Sequence, residues 1–234
     1  HETGHALYEA GLPRNWRRQP VGLARGMVLH ESQSLLMEMQ ACRSRAFIDF
    51  AAPRMRATFG RSGPAWTAEN IHSVYTRVAP GFIRVDADEV TYPLHVMLRY
   101  RLERAILGGD LSLADLPGAW NDGMKELLGI VPPDDSLGCL QDIHWPDGAW
   151  GYFPTYTMGA LAAAQLFAAA RKAVPGLMEA IGKGDFAPLL GWLRTHVHGQ
   201  GSIGGTDWIL SQATGAPLGV GAFKAHLESR YLSA

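Results

Sequence analysis

The sequence predicts an all-α fold with at most a small β-sheet, and three observations predict it. Apolar residues recur at three- and four-residue spacing through most of the 234 residues. Period-two alternation is confined to one short stretch, "GFIRVDADEVTY". Capping residues, glycines and prolines punctuate the apolar runs at helix-length intervals.

The elements follow in order. "HETGHALYE" reads as a helix. Leu35, Leu36, Met39, Ala46, Phe47 and Phe50 share one face of a long helix from about Ser32 to Phe50. Thr67 caps a helix over Ala68 to Val78, which "APG" closes. Ile83 to Val85 reads as a short strand, followed by a helix through Leu107 that Gly108 and Gly109 end. Ser112, with Asp115 three residues on, opens the next segment. Helical stretches follow at Ala119–Leu128, Tyr156–Ala173, Pro188–Val197, Asp207–Ala213 and Ala222–Leu232. Between the first two lies "GIVPPDDSLGCLQDIHWPDGAWGYFPTY", a connection long enough to mark function and too aromatic for disorder.

Composition narrows the class. Hydrophobic residues make up 47% and charged residues 18%, an ordinary globular balance. A net charge of −1 gives no reason to expect nucleic acid or an anionic membrane as a partner. Two cysteines, Cys42 and Cys139, form no ligand or redox pattern and suit reduced thiols in the cytoplasm. The longest apolar run, "MGALAAAQLFAAA", is too short to span a bilayer. The chain opens without methionine, and its start reads as a cut within a longer sequence.

The opening carries the chemistry. His1 and His5 stack on one helical face, so both imidazoles reach one metal ion. Glu2 sits about 100° round the helix, beside such an ion, where it suits a base for an activated water. "HESQSLLMEMQ" supplies Glu31, which a helical hairpin would return to the histidine pair. A carboxylate there is also what the dipole of a helix N-terminus favours. With the histidines upstream the ligand reading is preferred, since two histidines and one carboxylate leave a fourth position, the layout of catalytic zinc.

"HETGHALYE", "HESQSLL", "IRVDAD" and "GCLQDIHW" with "GYFPTY" resemble, in order and spacing, the carboxypeptidase Taq family of zinc metallocarboxypeptidases. The resemblance runs from His1 to about Tyr156. It implies a mostly helical, zincin-type fold and removal of single amino acids from free peptide C-termini. It places the zinc ligands on His1, His5 and Glu31 and the general base on Glu2. It further implies one zinc, with cobalt as a substitute, and a homodimer. The family's Asp-x-Arg-x-Thr motif belongs upstream of His1, so the resemblance makes residues 1–234 the C-terminal portion of one catalytic domain whose N-terminal half is missing. Such a fragment alone would be a weak enzyme. A zinc endopeptidase with the same ligands, or a non-catalytic fragment, is the alternative.

The other polar residues divide by chemistry. Arg84 offers a bidentate guanidinium to a substrate carboxylate, or else pairs with Asp86 or Asp88. His144 and Tyr156 could donate to the scissile carbonyl, and Tyr152 is a lesser substrate contact; each could instead be a packed loop residue. Gln141 and Asp142 read as orienters of the His144 loop, and Gln33 and His30 as orienters of neighbours near the metal ligands. His95 reads as structural. His72, His196, His198 and His226 show no partner spacing and read as solvated.

Overall fold

A computed structural model describes residues 1–232, which divide into two compact units. Among these, the first comprises residues 1–76 and 158–232, and the second residues 77–157. All regular structure among the described residues is helical.

The first unit opens with α1 (Glu2–Gly11), which packs against α2 (Gly26–Leu35). Gly4 permits that approach, because a Cβ there would strike the backbone of Gln33. The long helix expected from Ser32 to Phe50 is broken. After Leu35 the chain widens into a π-helical segment (Leu36–Cys42) and then turns. Ser44 caps α3 (Arg45–Phe59), its hydroxyl accepting the Phe47 N–H at 3.3 Å. The apolar spacing on both sides of the break stays near helical, so periodicity alone conceals it. Pro53 lies inside α3 and does not stop it. Thr67 caps α4 (Ala68–Tyr75) as expected, accepting the Asn70 N–H.

The second unit is built on α5 (Tyr92–Gly108) and α6 (Leu116–Leu128), which pack on each other. Leu98, Leu102, Trp120, Met124 and Leu128 form their shared core. Gly109 ends α5 in the left-handed region, at φ 81°. The strand expected at Ile83 to Val85 is instead a 3₁₀ turn (Arg84–Asp86). Its Arg84 N–H donates to the Gln141 side chain at 2.8 Å, a bond that replaces a strand ladder. The aromatic connection contains no α-helix before α7 (Pro154–Ala173) and is tied down by turns.

The first unit resumes within α7, whose alanine-rich face joins the main core with Leu29, Leu36, Ile209 and Leu210. It continues through α8 (Leu177–Ile181), α9 (Ala187–His196), α10 (Thr206–Thr214) and α11 (Gly221–Leu227). The terminal helix expected to Leu232 widens into a second π segment (Glu228–Leu232). No helix among the described residues is long and apolar enough to cross a membrane.

Candidate metal centre

In the first unit α1 and α2 bring His1, His5 and Glu31 together. One ligand atom from each lies within 4.8 Å of the others. The Nε2 atoms of His1 and His5 stand 3.6 and 3.9 Å from Glu31 Oε2. Glu31 is 4% exposed, and the Ser34 hydroxyl lies 3.2 Å from the same oxygen. Gly159 of α7 lets that helix lie against the ligand: a Cβ there would sit 2.6 Å from Glu31 Cβ. Glu2 is exposed in the first turn of α1.

Each imidazole is held from behind through Nδ1. His1 Nδ1 lies 2.7 Å from Glu38 Oε2, and Arg43 binds the other oxygen of that carboxylate. His5 Nδ1 lies 2.6 Å from His30 Nδ1, and His30 Nε2 lies 2.9 Å from Glu9 Oε1. The Glu38 bond pulls the His1 pKa upward, whereas burial pushes that of His5 down. The two Nε2 atoms and the carboxylate oxygen are thus the donors left to converge, a set that fits zinc.

Behind this cluster, Gln33 Oε1 accepts from His198 Nε2 at 2.9 Å, and Gln33 Nε2 donates to the Ser32 hydroxyl. The solvated reading of His198 is therefore wrong. The side chain is 1% exposed, and burial pushes its pKa down to about 4. Its partner lies 165 residues away in sequence, beyond the reach of any spacing rule. His72, His196 and His226 are half-buried rather than solvated.

In the second unit the polar residues form a different cluster. Arg84 donates from Nε and Nη2 to Asp142 Oδ1 at 3.1 and 2.7 Å, and from Nη1 to the Tyr92 hydroxyl at 2.7 Å. The acid partners expected for it, Asp86 and Asp88, are not used. Asp88 instead accepts the backbone N–H groups of Ala79, Val90 and Thr91. Arg99, fully buried, donates from Nε to Asp142 Oδ2 at 2.6 Å. Gln141 Oε1 accepts from Arg99 Nη2 and from the Arg84 backbone. Gln141 and Asp142 are thus orienters, but of two arginines more than of the His144 loop. Burial acts to raise the Asp142 carboxyl, and Arg99 and Arg84 outweigh it, holding it below the usual range. Sequence reasoning missed Arg99; the available signal was an arginine among apolar residues of α5, next to His95 in the helical stack.

His144 and Tyr156 meet in the same unit, with Nε2 2.9 Å from the phenol oxygen. The His144 ring stacks on Phe153 at 4.2 Å and lies 5.5 Å from Tyr152. Burial pushes its pKa down, with Arg84 adding to the effect. His95 is fully buried, and burial and Arg99 push its pKa to about 4.

Known proteins resemble this chain along almost its whole length. The family model for carboxypeptidase Taq (M32) metallopeptidases matches residues 1–231. Thermostable carboxypeptidase 1 of Thermus thermophilus is 42% identical over 231 residues, 99% of this chain and 45% of that protein. Thermostable carboxypeptidase 1 of Pyrococcus furiosus is 38% identical over 99% of this chain and 46% of that protein. Among solved structures, Trypanosoma cruzi metallocarboxypeptidase 1 superposes with a TM-score of 0.96 at 46% identity, over 100% of this chain and 49% of that one. The M32 carboxypeptidase of Deinococcus radiodurans gives 0.95 at 40% identity, over 99% and 47%. The chain spans about half the length of the relatives it matches.

Proposed function

Because the chain belongs to the carboxypeptidase Taq (M32) family of metallopeptidases, we propose that it carries the metal centre of a zinc-dependent carboxypeptidase. The observation that carries this reading is the convergence of His1, His5 and Glu31 with both histidines held from behind. In the whole protein these three residues would hold the ion. When bound, zinc supplies Lewis acidity toward the scissile carbonyl and acidifies a water.

Glu2 takes the proton from the water that adds to the carbonyl carbon. It returns that proton to the leaving amine as the C–N bond breaks. Exposure suits it to this work, since a base must reach water and substrate. Arg84, Arg99 and Asp142 sum to one net positive charge, which favours a free C-terminal carboxylate. Arg84 is the residue assigned to it, using the two guanidinium N–H bonds that remain after Asp142 and Tyr92. His144 and Tyr156, with Tyr152 beside them, are assigned to hydrogen bonds with the substrate backbone.

The test compares peptides with free and amidated C-termini on the whole protein. Free peptides should lose one residue at a time while amidated ones resist. Arg84→Lys should narrow that difference, because an ammonium cannot reproduce the guanidinium fork. Equal cleavage of both substrates by the wild type would reject the exopeptidase reading.

A further inference from the structure

We infer that Glu38, presented by the π-helical segment, is a positioning residue for the metal ligand His1. Glu9, acting through His30, does the same for His5. The inference rests on the reading that His1, His5 and Glu31 hold the metal, and it concerns what makes those imidazoles competent to do so.

Counting protons fixes the tautomer of each ring. A carboxylate only accepts, so the nitrogen facing Glu38 must carry hydrogen. That nitrogen is His1 Nδ1, at 2.7 Å. Neutral His1 then has its lone pair on Nε2, the atom 3.6 Å from Glu31. The second path needs one more step. Glu9 accepts from His30 Nε2 at 2.9 Å, so neutral His30 keeps its lone pair on Nδ1. The 2.6 Å contact between His30 Nδ1 and His5 Nδ1 then requires His5 to donate. His5 is left with its lone pair on Nε2, again the atom facing Glu31. Two independent paths thus select the same tautomer in both ligands.

The paths differ in strength. Glu38 touches its imidazole directly, and Arg43 holds it from the far side. Its side chain is 26% exposed, whereas that of Glu9 is 56% exposed and acts across a neutral ring. Glu38 also owes its place to an unusual backbone. Wide i→i+5 turns are rare and concentrate at functional sites. This one follows directly on the helix that bears Glu31, so ligand and orienter share one continuous segment.

The test measures zinc dissociation constants of the whole protein by chelator competition at fixed pH. Glu38→Gln, an isosteric change, should weaken zinc about 10- to 100-fold, the usual range for an outer carboxylate. Glu9→Gln lies on the surface, where folding is not at risk, and should weaken zinc by less, about 3- to 10-fold. Nitrogen-15 spectra of the metal-free protein should show the Nδ1–H tautomer for His1 and His5. Glu38→Gln should abolish that preference at His1 alone, which a purely structural role would not do. Affinity within two-fold of wild type in both variants, or an Nε2–H tautomer at His1 in the wild type, overturns the inference. Glu31→Ala separates the two levels: retained zinc there would instead reject the metal site itself.

Discussion

The two buried ionic clusters use the same kinds of residue to opposite ends. In the second unit, both oxygens of Asp142 meet guanidinium groups, and Gln141 ties the two arginines together. Its one carboxylate is compensated from within. In the first unit, Glu31 is just as buried, yet what faces it is two imidazole nitrogens and a hydroxyl. Among the described residues no arginine or lysine lies within 4 Å of it. A carboxylate neutralised by its own chain is architecture. A buried carboxylate that converges with other electron-pair donors suits a cation.

Stability separates the two most sharply. Asp142→Ala would leave Arg84 and Arg99 buried without their anion, and breaking such a pair costs about 3 to 5 kcal/mol. Glu31→Gln in metal-free protein should cost less than about 1 kcal/mol, because it relieves a carboxylate that has no cationic partner. Urea denaturation of both variants gives the comparison directly. Similar losses in the two would erase the distinction.

Acid should act on both units through their buried histidines. His95 and His198 sit near pKa 4 in the folded chain, against about 6.5 when unfolded. Each folded value is depressed, so the unfolded chain binds more protons between these limits. The stability tied to each neutral ring is complete above pH 6.5 and is lost as pH falls toward 4, about 3 kcal/mol per ring. His198→Gln and His95→Gln should each flatten part of that slope in pH-dependent melting. A slope unchanged by both would show that other groups carry it.

An effect on rate rather than on stability sharpens the functional side. Glu2→Gln should retain zinc and lower turnover by a factor on the order of 100 or more, equivalent to about 2.7 kcal/mol. Loss of metal together with activity would place Glu2 among the ligands instead.

What could be read from the sequence follows the range of the interactions. His1, His5 and Glu2 are related by helical spacing, and Glu31 by one hairpin, so a local pattern finds them. The caps at Thr67 and Gly109 are equally local. Arg99 and His198 escape because their partners lie 43 and 165 residues away. Glu38 escapes for another reason. The widened turn that presents it preserves the apolar spacing, so the segment passes for the middle of an α-helix. The strand expected at Ile83 to Val85 fails because, among the described residues, there is no neighbouring strand to pair with, while Gln141 takes the Arg84 N–H.

The central claim, that the first cluster is a metal centre, is tested most directly by metal content. The whole protein is purified, dialysed against buffer whose only added metal is micromolar zinc, and analysed for zinc per chain beside Glu31→Ala and Asp142→Asn. The account predicts one zinc in the wild type, close to one in Asp142→Asn, and almost none in Glu31→Ala, where two imidazoles remain. One zinc per chain in Glu31→Ala would contradict it.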